Sequence, residues 1–330
     1  MKPKVLIPYD ADTVAAVQNI LGNLAVVVSS QRTAESMLEK AGDALVVASG
    51  RVPAEFIRKA KNLKMIQALS AGVDKIDCDA VLERGDLVVC NNPMNAEEVA
   101  EYAIMLLLAA AKNTIVNDRE LRKGDWTYGF GGPRPNVEIR EKTCLILGLG
   151  NIGMAIAERL KGFGLRITGA TRTGVNRNPS LIDAVAIVAE MEHLVRKADF
   201  VILSLPLTPS SRGIVNNQFL SWMKKTSILV NISRGEVIDE LALYNALREE
   251  RIFAAALDVW WRYPQWGVDV KEFQASNYPF NELDNVIMSP HRAAYSEAVA
   301  KAHLQFAGEN ILRFLQGEEP KSIVDMELGY

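Results

Sequence analysis

Apolar and polar positions alternate along this chain in two series, separated by a long apolar stretch. Short β-type runs stand at Val5–Ile7, Ala25–Val28, Leu45–Ala48, Met65–Leu69 and Leu87–Cys90. Helical patterns lie between them, as at Thr13–Ile20, Pro53–Lys61 and Asp79–Arg84. Strands that alternate with helices predict a parallel sheet covered on both faces. Asn91-Asn92-Pro93 breaks the rhythm, and one long helix is expected from Ala96 to about Lys123. Its apolar middle is too thick for a surface helix, which predicts burial between domains or between subunits. After the Gly- and Pro-rich stretch Gly124–Val137 a second series begins. Its strands are expected near 143–148, 166–170, 200–205, 227–231, 253–257 and 286–288. Gln265–Asn281 reads as an aromatic-bearing loop without periodicity, and a last helix runs from about Ser296 to Gln316. Two strand series predict two α/β domains, joined by crossings near Pro93 and Pro290.

The glycine run in the second series carries chemistry. Thr143–Gly153 is an apolar run that ends in Gly148-Leu149-Gly150-Asn151-Ile152-Gly153 and passes directly into a helical pattern. Strand, G-x-G-x-x-G, then helix is the setting that a dinucleotide fingerprint needs. Gly148 permits the tight turn, Gly150 lets the backbone approach a pyrophosphate, and Gly153 lets helix and strand pack closely. The amides of Asn151 and Ile152, at the helix N-terminus, face the phosphates. About twenty residues past such glycines an acid normally binds the ribose 2′-hydroxyl. Here the strand ends Thr168-Gly169-Ala170-Thr171-Arg172-Thr173, with no acid. Thr171, Arg172 and Thr173 remove the repulsion of a 2′-phosphate and add a cation, with Arg177 as a second contact. NADP(H) is therefore expected ahead of NAD(H). The plainer reading, Arg172 stacked on adenine with both coenzymes accepted, stays open.

Composition narrows the field. A net charge of -3 and the absence of any Lys/Arg block exclude nucleic acid and anionic membrane as natural partners. The longest apolar run, Ala103–Ala111, is far short of a membrane span. MKPKVLIPYD reads as a strand rather than a signal peptide. The three cysteines lack metal-ligand spacing and read as reduced thiols of a cytoplasmic protein, so no metal is expected.

In order along the chain stand Ser70-Ala71-Gly72-Val73-Asp74, Asn92-Pro93 with Val99-Ala100-Glu101, and Gly148–Gly153. Leu205-Pro206-Leu207-Thr208, Asn231-Ile232-Ser233-Arg234-Gly235, Leu257-Asp258-Val259 and Ser289-Pro290-His291 follow. This series resembles the D-2-hydroxyacid dehydrogenase family, glyoxylate/hydroxypyruvate reductases among them. The resemblance implies a flavodoxin-like substrate domain from 1–93 and 293–330 around a Rossmann coenzyme domain of 94–292, with the active site between them. It implies hydride transfer between a nicotinamide coenzyme and a 2-hydroxy or 2-keto acid, and a homodimer.

Residue by residue, Arg234 suits the grip on carboxylate and keto oxygens, since a guanidinium binds both at once. His291 suits proton donation near neutral pH. Amides around Ser70, Ala71, Gly72 and Val73 are expected to receive the substrate carboxylate. Leu205, Pro206, Ile232 and Ser233 fall in the coenzyme motifs. Asp258 resembles the acceptor for the nicotinamide carboxamide; an Asp that merely caps the following turn is the plainer alternative. One departure stands out. Where the family has Glu before Pro, paired with the histidine, this chain has Tyr263-Pro264. A phenol can hold an imidazole by a hydrogen bond but brings no charge at neutral pH. Asp269, Glu272 or Glu282 of the next loop are substitutes for the missing acid. The rival readings are a dehydrogenase of a different acid, formate or phosphite, and a non-catalytic dinucleotide-binding regulator.

Overall fold

The computed structural model describes residues 2–264 and 270–330. The chain divides into two units, Met1–Asn95 with Tyr295–Tyr330, and Ala96–Ala294. The first unit holds five strands, β1 (Lys4–Leu6), β2 (Val26–Val28), β3 (Val46–Ala48), β4 (Met65–Gln67) and β5 (Val88–Cys90). They form one parallel sheet in the order β2-β1-β3-β4-β5, the flavodoxin-like order. The central strands β3 and β4 are buried at every residue, because helices cover both faces. Helix starts follow local capping chemistry: Asp10, Thr33 and Asp77 each accept an amide in the first turn.

The C-terminal helix Glu297–Leu315 returns to pack on Ala11–Leu21. Gly308 permits the approach, since a Cβ there would lie 2.5 Å from Ile20 Cδ1. Buried Asn310 stitches the returning segment to the sheet: its Nδ2 donates to Gln67 Oε1 at 2.7 Å, and Lys321 N–H donates to its Oδ1 at 2.6 Å.

The second unit carries β6 (Thr143–Leu147), β7 (Arg166–Thr171), β8 (Ala184–Ile187), β9 (Phe200–Leu203), β10 (Ile228–Asn231), β11 (Ala254–Leu257) and β12 (Val286–Met288). All neighbours are parallel, in the order β12-β11-β10-β9-β6-β7-β8. That is the Rossmann order with one strand added beyond the sixth. Successive residues of each strand feed opposite cores. Cys144, Ile146, Phe200 and Ile202 enter one, while Leu145, Leu147, Val201 and Leu203 enter the other. Strand β8 was not expected from the sequence. It is a short, half-exposed edge strand, so its apolar pattern is weak.

The long helix expected over Ala96–Lys123 is two helices, Ala96–Ala111 and Thr114–Arg122, bent by 62°. Asn113 makes the break in the left-handed conformation (φ 51°), and its Nδ2 donates to the Arg134 carbonyl at 3.1 Å. No Gly or Pro marks the site, and Asn tolerates this backbone better than most residues. Eight residues of Ala96–Ala111 are buried against the sheet, which accounts for its apolar middle. Among the described residues no single helix is long and apolar enough to cross a membrane.

Candidate active site

The glycine turn of the second unit is built as its sequence requires. Gly148 follows β6 with φ 92°, donates to the Ala170 carbonyl at 2.9 Å, and would place a Cβ 2.7 Å from the Ser204 carbonyl oxygen. It thus lies where β6 and β9 diverge, the switch point at which such sheets bind ligands. A Cβ on Gly153 would come within 2.0 Å of the Gly148 carbonyl oxygen, so helix and turn meet only through glycine. Gly150 differs. Its backbone is extended, a Cβ there would meet nothing within 4 Å, and it caps the helix Asn151–Lys161 without a side-chain bond. The amides of Asn151, Ile152 and Gly153 therefore start the helix facing open space, the arrangement that receives a phosphate.

Beyond β7, Thr171 Oγ1 accepts the Gly174 amide at 3.0 Å, and this folds Arg172 and Thr173 into an exposed turn. Arg177 is exposed a few residues on. Leu205 and Pro206 follow β9 in a half-buried loop pinned by Ser211 Oγ, which donates to the Pro206 carbonyl at 2.7 Å.

Two adjacent strands end in buried polar residues that shape the rest of the site. At the end of β10, Asn231 Oδ1 accepts from the Ser233 amide (3.0 Å) and hydroxyl (2.8 Å), while its Nδ2 donates to the Arg234 carbonyl at 2.8 Å. Ile232 and Ser233 are buried, and Arg234 leaves the strand extended, its Nη1 donating to the Ser233 carbonyl. Gly235 follows where a Cβ would lie 2.3 Å from the Trp260 backbone. Next to it, past β11, the Asp258 amide donates to the Asn231 carbonyl at 3.0 Å. The Asp258 carboxylate accepts from Ser289 Oγ (2.5 Å) and from the amides of Arg292 (2.8 Å) and Ala293 (3.0 Å). These bonds clasp the turn on which His291 adopts φ 57°. Asp258 thus clasps the distant turn at His291 rather than capping the turn after its own strand; with three acceptor positions taken, a carboxylate retains capacity for one further donor.

Tyr263 completes this end of the sheet. Its ring centroid lies 5.5 Å from that of His291, tilted by 55°. The hydroxyl accepts from the Trp260 amide at 3.2 Å, and the phenol and imidazole rings are neighbours. Tyr263 is 41% exposed and otherwise enclosed. That enclosure pushes the phenol above its ordinary value, opposed by the Trp260 amide and by the nearby Arg234 guanidinium. Arg234, Tyr263 and His291 are therefore brought together beyond the ends of β10, β11 and β12. Of the candidate acids, Asp269 and the loop residues 265–269 lie outside the described residues. Glu272 is exposed with φ 59°, and Glu282 lies in the short turn Phe280–Glu282.

The other histidines are placed differently. His193 shares a 2.9 Å bond with the Glu190 carbonyl, and burial draws His303 below the usual imidazole range. Burial pushes the thiol of Cys90 up to about 11 and raises that of Cys144 further, so neither offers a thiolate.

In the first unit, Ser70–Val73 follows β4. Its carbonyls are occupied: Ser70 Oγ donates to Gly72 O at 2.7 Å, Asn91 Nδ2 to Ala71 O at 3.1 Å and the Asn92 amide to Ser70 O at 3.0 Å. The amides of Ala71, Gly72 and Val73 have no acceptor among the described residues. Ser70, Ala71 and Gly72 are half-buried and Val73 is buried. Sequence reasoning did not single out Asn231, Ser289 or Tyr102 as functional. A polar side chain at the buried end of a strand was the one signal for Asn231.

A family model described as D-isomer specific 2-hydroxyacid dehydrogenase, NAD binding domain, matches residues 104–293. The chain belongs to this family of NAD(P)-dependent oxidoreductases. Over 305 residues it is 38% identical to the D-3-phosphoglycerate dehydrogenase of Methanocaldococcus jannaschii, covering 91% of this chain and 55% of that protein. The chain thus spans about half of that relative's length. It is 34% identical over 291 residues to the glyoxylate reductase of Pyrococcus horikoshii, covering 87% of this chain and 84% of the relative. An NADPH-dependent glyoxylate/hydroxypyruvate reductase from Sinorhizobium meliloti, solved with NADP and malonate, matches with a TM-score of 0.82 and 28% identity, over 99% of this chain and 98% of that one.

The open space at Gly150 generates a prediction. Gly150→Ala leaves the melting temperature unchanged, because the added Cβ meets no protein atom. It weakens coenzyme binding about tenfold or more, since the methyl group occupies the approach of the pyrophosphate. Titration by reduced-coenzyme fluorescence beside a thermal melt separates the two; a lowered melting temperature with unchanged affinity contradicts this placement.

Proposed function

We propose that the protein interconverts a small 2-keto acid and its 2-hydroxy acid, with NADP(H) preferred over NAD(H). The observation that carries the reading is the convergence of Arg234 and His291 with Tyr263 at the ends of three neighbouring strands. Arg234 binds the carboxylate and the keto oxygen together through its planar fork of donors. His291 delivers a proton to that oxygen in reduction and takes it back in oxidation. The first unit, which carries Ser70, Ala71, Gly72 and Val73 as substrate-binding residues, serves as the substrate domain. The second unit serves as the coenzyme domain.

The residues present fit a dinucleotide. Gly148 and Gly153 shape the turn, Gly150 leaves room for the pyrophosphate, and the uncapped helix start offers amides to it. Leu205, Pro206, Ile232 and Ser233 flank the nicotinamide, and Asp258 has capacity left for its carboxamide. When bound, the coenzyme supplies or accepts the hydride. Thr171, Arg172 and Thr173, with Arg177, receive the 2′-phosphate, since no acid stands at the end of β7 to repel it. In solution we infer a homodimer, in which the helices Ala96–Ala111 and Thr114–Arg122 and the arm after them are covered by a second copy. Ile115, Leu121, Trp126 and Phe130 stand exposed there. Three free cysteines, two of them buried, suit the reducing conditions of a cytoplasm.

Because its phenol is held above the ordinary value, Tyr263 is neutral at working pH and gives imidazolium no counter-charge. A neutral phenol in this position, compared with a carboxylate, favours base duty in oxidation and restricts reduction to lower pH. Tyr263→Glu raises the His291 pKa, so protonated donor persists to higher pH. The falling limb of the reductive kcat/KM profile moves up by about one unit; an unmoved limb contradicts the pairing.

Oxidation of NADPH by a panel of small 2-keto acids, glyoxylate and hydroxypyruvate included, tests the function itself. Turnover is expected. Its absence with every keto acid, despite tight coenzyme binding, transfers the case to a different acid or to a binding role. In the same assay Arg172→Asp lowers the NADPH-to-NADH ratio of kcat/KM by about tenfold or more. An unchanged ratio rejects Arg172 as the 2′-phosphate contact.

A further inference from the structure

Tyr102 lies on the helix Ala96–Ala111, packed against the sheet core among Val99, Ala103 and Leu106. A phenylalanine would fill that site equally well, so the hydroxyl calls for its own explanation. Its recorded partner among the described residues is the Ser289 hydroxyl, at 2.8 Å. Ser289 Oγ also lies 2.5 Å from Asp258 Oδ1. A carboxylate only accepts, so the single proton of Ser289 goes to Asp258, and the phenolic proton of Tyr102 goes to Ser289. The order of donation is therefore fixed from Tyr102 to Ser289 to Asp258.

Ser289 is fixed on its other sides as well. Its amide donates to the Leu257 carbonyl at 2.9 Å, and its carbonyl accepts Trp260 Nε1 at 2.8 Å. The remaining bonds of Asp258 run to the amides of Arg292 and Ala293, directly after His291. His291 itself has φ 57°, a backbone state that L side chains seldom adopt and that neighbouring bonds must hold.

We propose that Tyr102 is a positioning residue for His291, acting through Ser289, Asp258 and the left-handed turn that Asp258 clasps. The inference rests on His291 as the proton donor of the proposed reaction. Loss of the Tyr102 hydroxyl frees the Ser289 hydroxyl to rotate, removes a fixed donor from Asp258, and loosens the turn. Proton delivery depends on placement within a fraction of an ångström, whereas coenzyme affinity rests mainly on the glycine turn and the residues beyond β7 and meets this network only at Asp258.

The test uses the full chain with Tyr102→Phe, Ser289→Ala and the double variant. Tyr102→Phe lowers kcat by about fivefold or more with a smaller change in the coenzyme KM, and Ser289→Ala lowers kcat further. The double variant is no slower than Ser289→Ala, because residues acting in series do not add. Ser289→Thr, which keeps the hydroxyl, restores most of the rate. Independently of turnover, the three histidines give separable imidazole Cε1–H resonances, that of His291 identified by His291→Asn. In Tyr102→Phe the His291 resonance shifts or broadens while that of His193 stays. A Tyr102→Phe enzyme with unchanged kcat and an unmoved His291 resonance overturns the proposal, as does an additive double variant. If the wild type turns over no 2-keto acid, the functional reading fails, and the resonance alone decides the relay.

Discussion

The backbone bond from the Asp258 amide to the Asn231 carbonyl joins the two residues on which the site depends. Asn231 ends β10 and Asp258 directly follows β11, both strands buried throughout; Asn231 turns back on the loop that follows it, and Asp258 reaches across to the turn at His291. Asn231 holds Ser233 and the Arg234 carbonyl; Asp258 holds Ser289 and the amides beyond His291. A buried donor left without its acceptor costs about 1–3 kcal/mol, so these loops are strongly determined. A parallel ladder thereby sets the separation of a guanidinium and an imidazole that lie far apart in sequence. Gly235 is part of the same constraint, because only a residue without Cβ lets the Arg234 loop press on the Trp260 backbone.

The chemistry follows from that rigidity and from one unusual neighbour. Tyr263 packs beside His291, and partial burial holds its phenol above the ordinary value. The glycine turn shows a second division of labour. Gly148 and Gly153 are glycines because the protein itself leaves no room for a Cβ, while Gly150 stands in open space. Its lack of a side chain is therefore of use to a ligand rather than to the fold.

Much of this was legible in the sequence, for physical reasons. Parallel strands buried on both faces read as unbroken apolar runs, which revealed the sheets, and the glycine spacing marked the turn after β6. The edge strand β8 escaped because one face meets solvent, and the helix break at Asn113 escaped because its left-handed backbone leaves no periodic trace. Arg234 and His291 stood in recognisable surroundings. The bond between Tyr102 and Ser289 joins residues 187 positions apart, and no local pattern announces such a pair. The plainer reading of Asp258 as a cap for the turn after its own strand did not hold: its carboxylate bonds lie 31 to 35 residues away, at the turn of His291.

A crystal structure with NADP and malonate as an unreactive acid tests the central claim most directly. The account predicts the Arg234 guanidinium and the His291 imidazole each about 3 Å from oxygens of the same bound acid, with Asn231 and Asp258 still clasping their loops. An acid seated elsewhere, or the two side chains directed to different faces of the coenzyme unit, would contradict it.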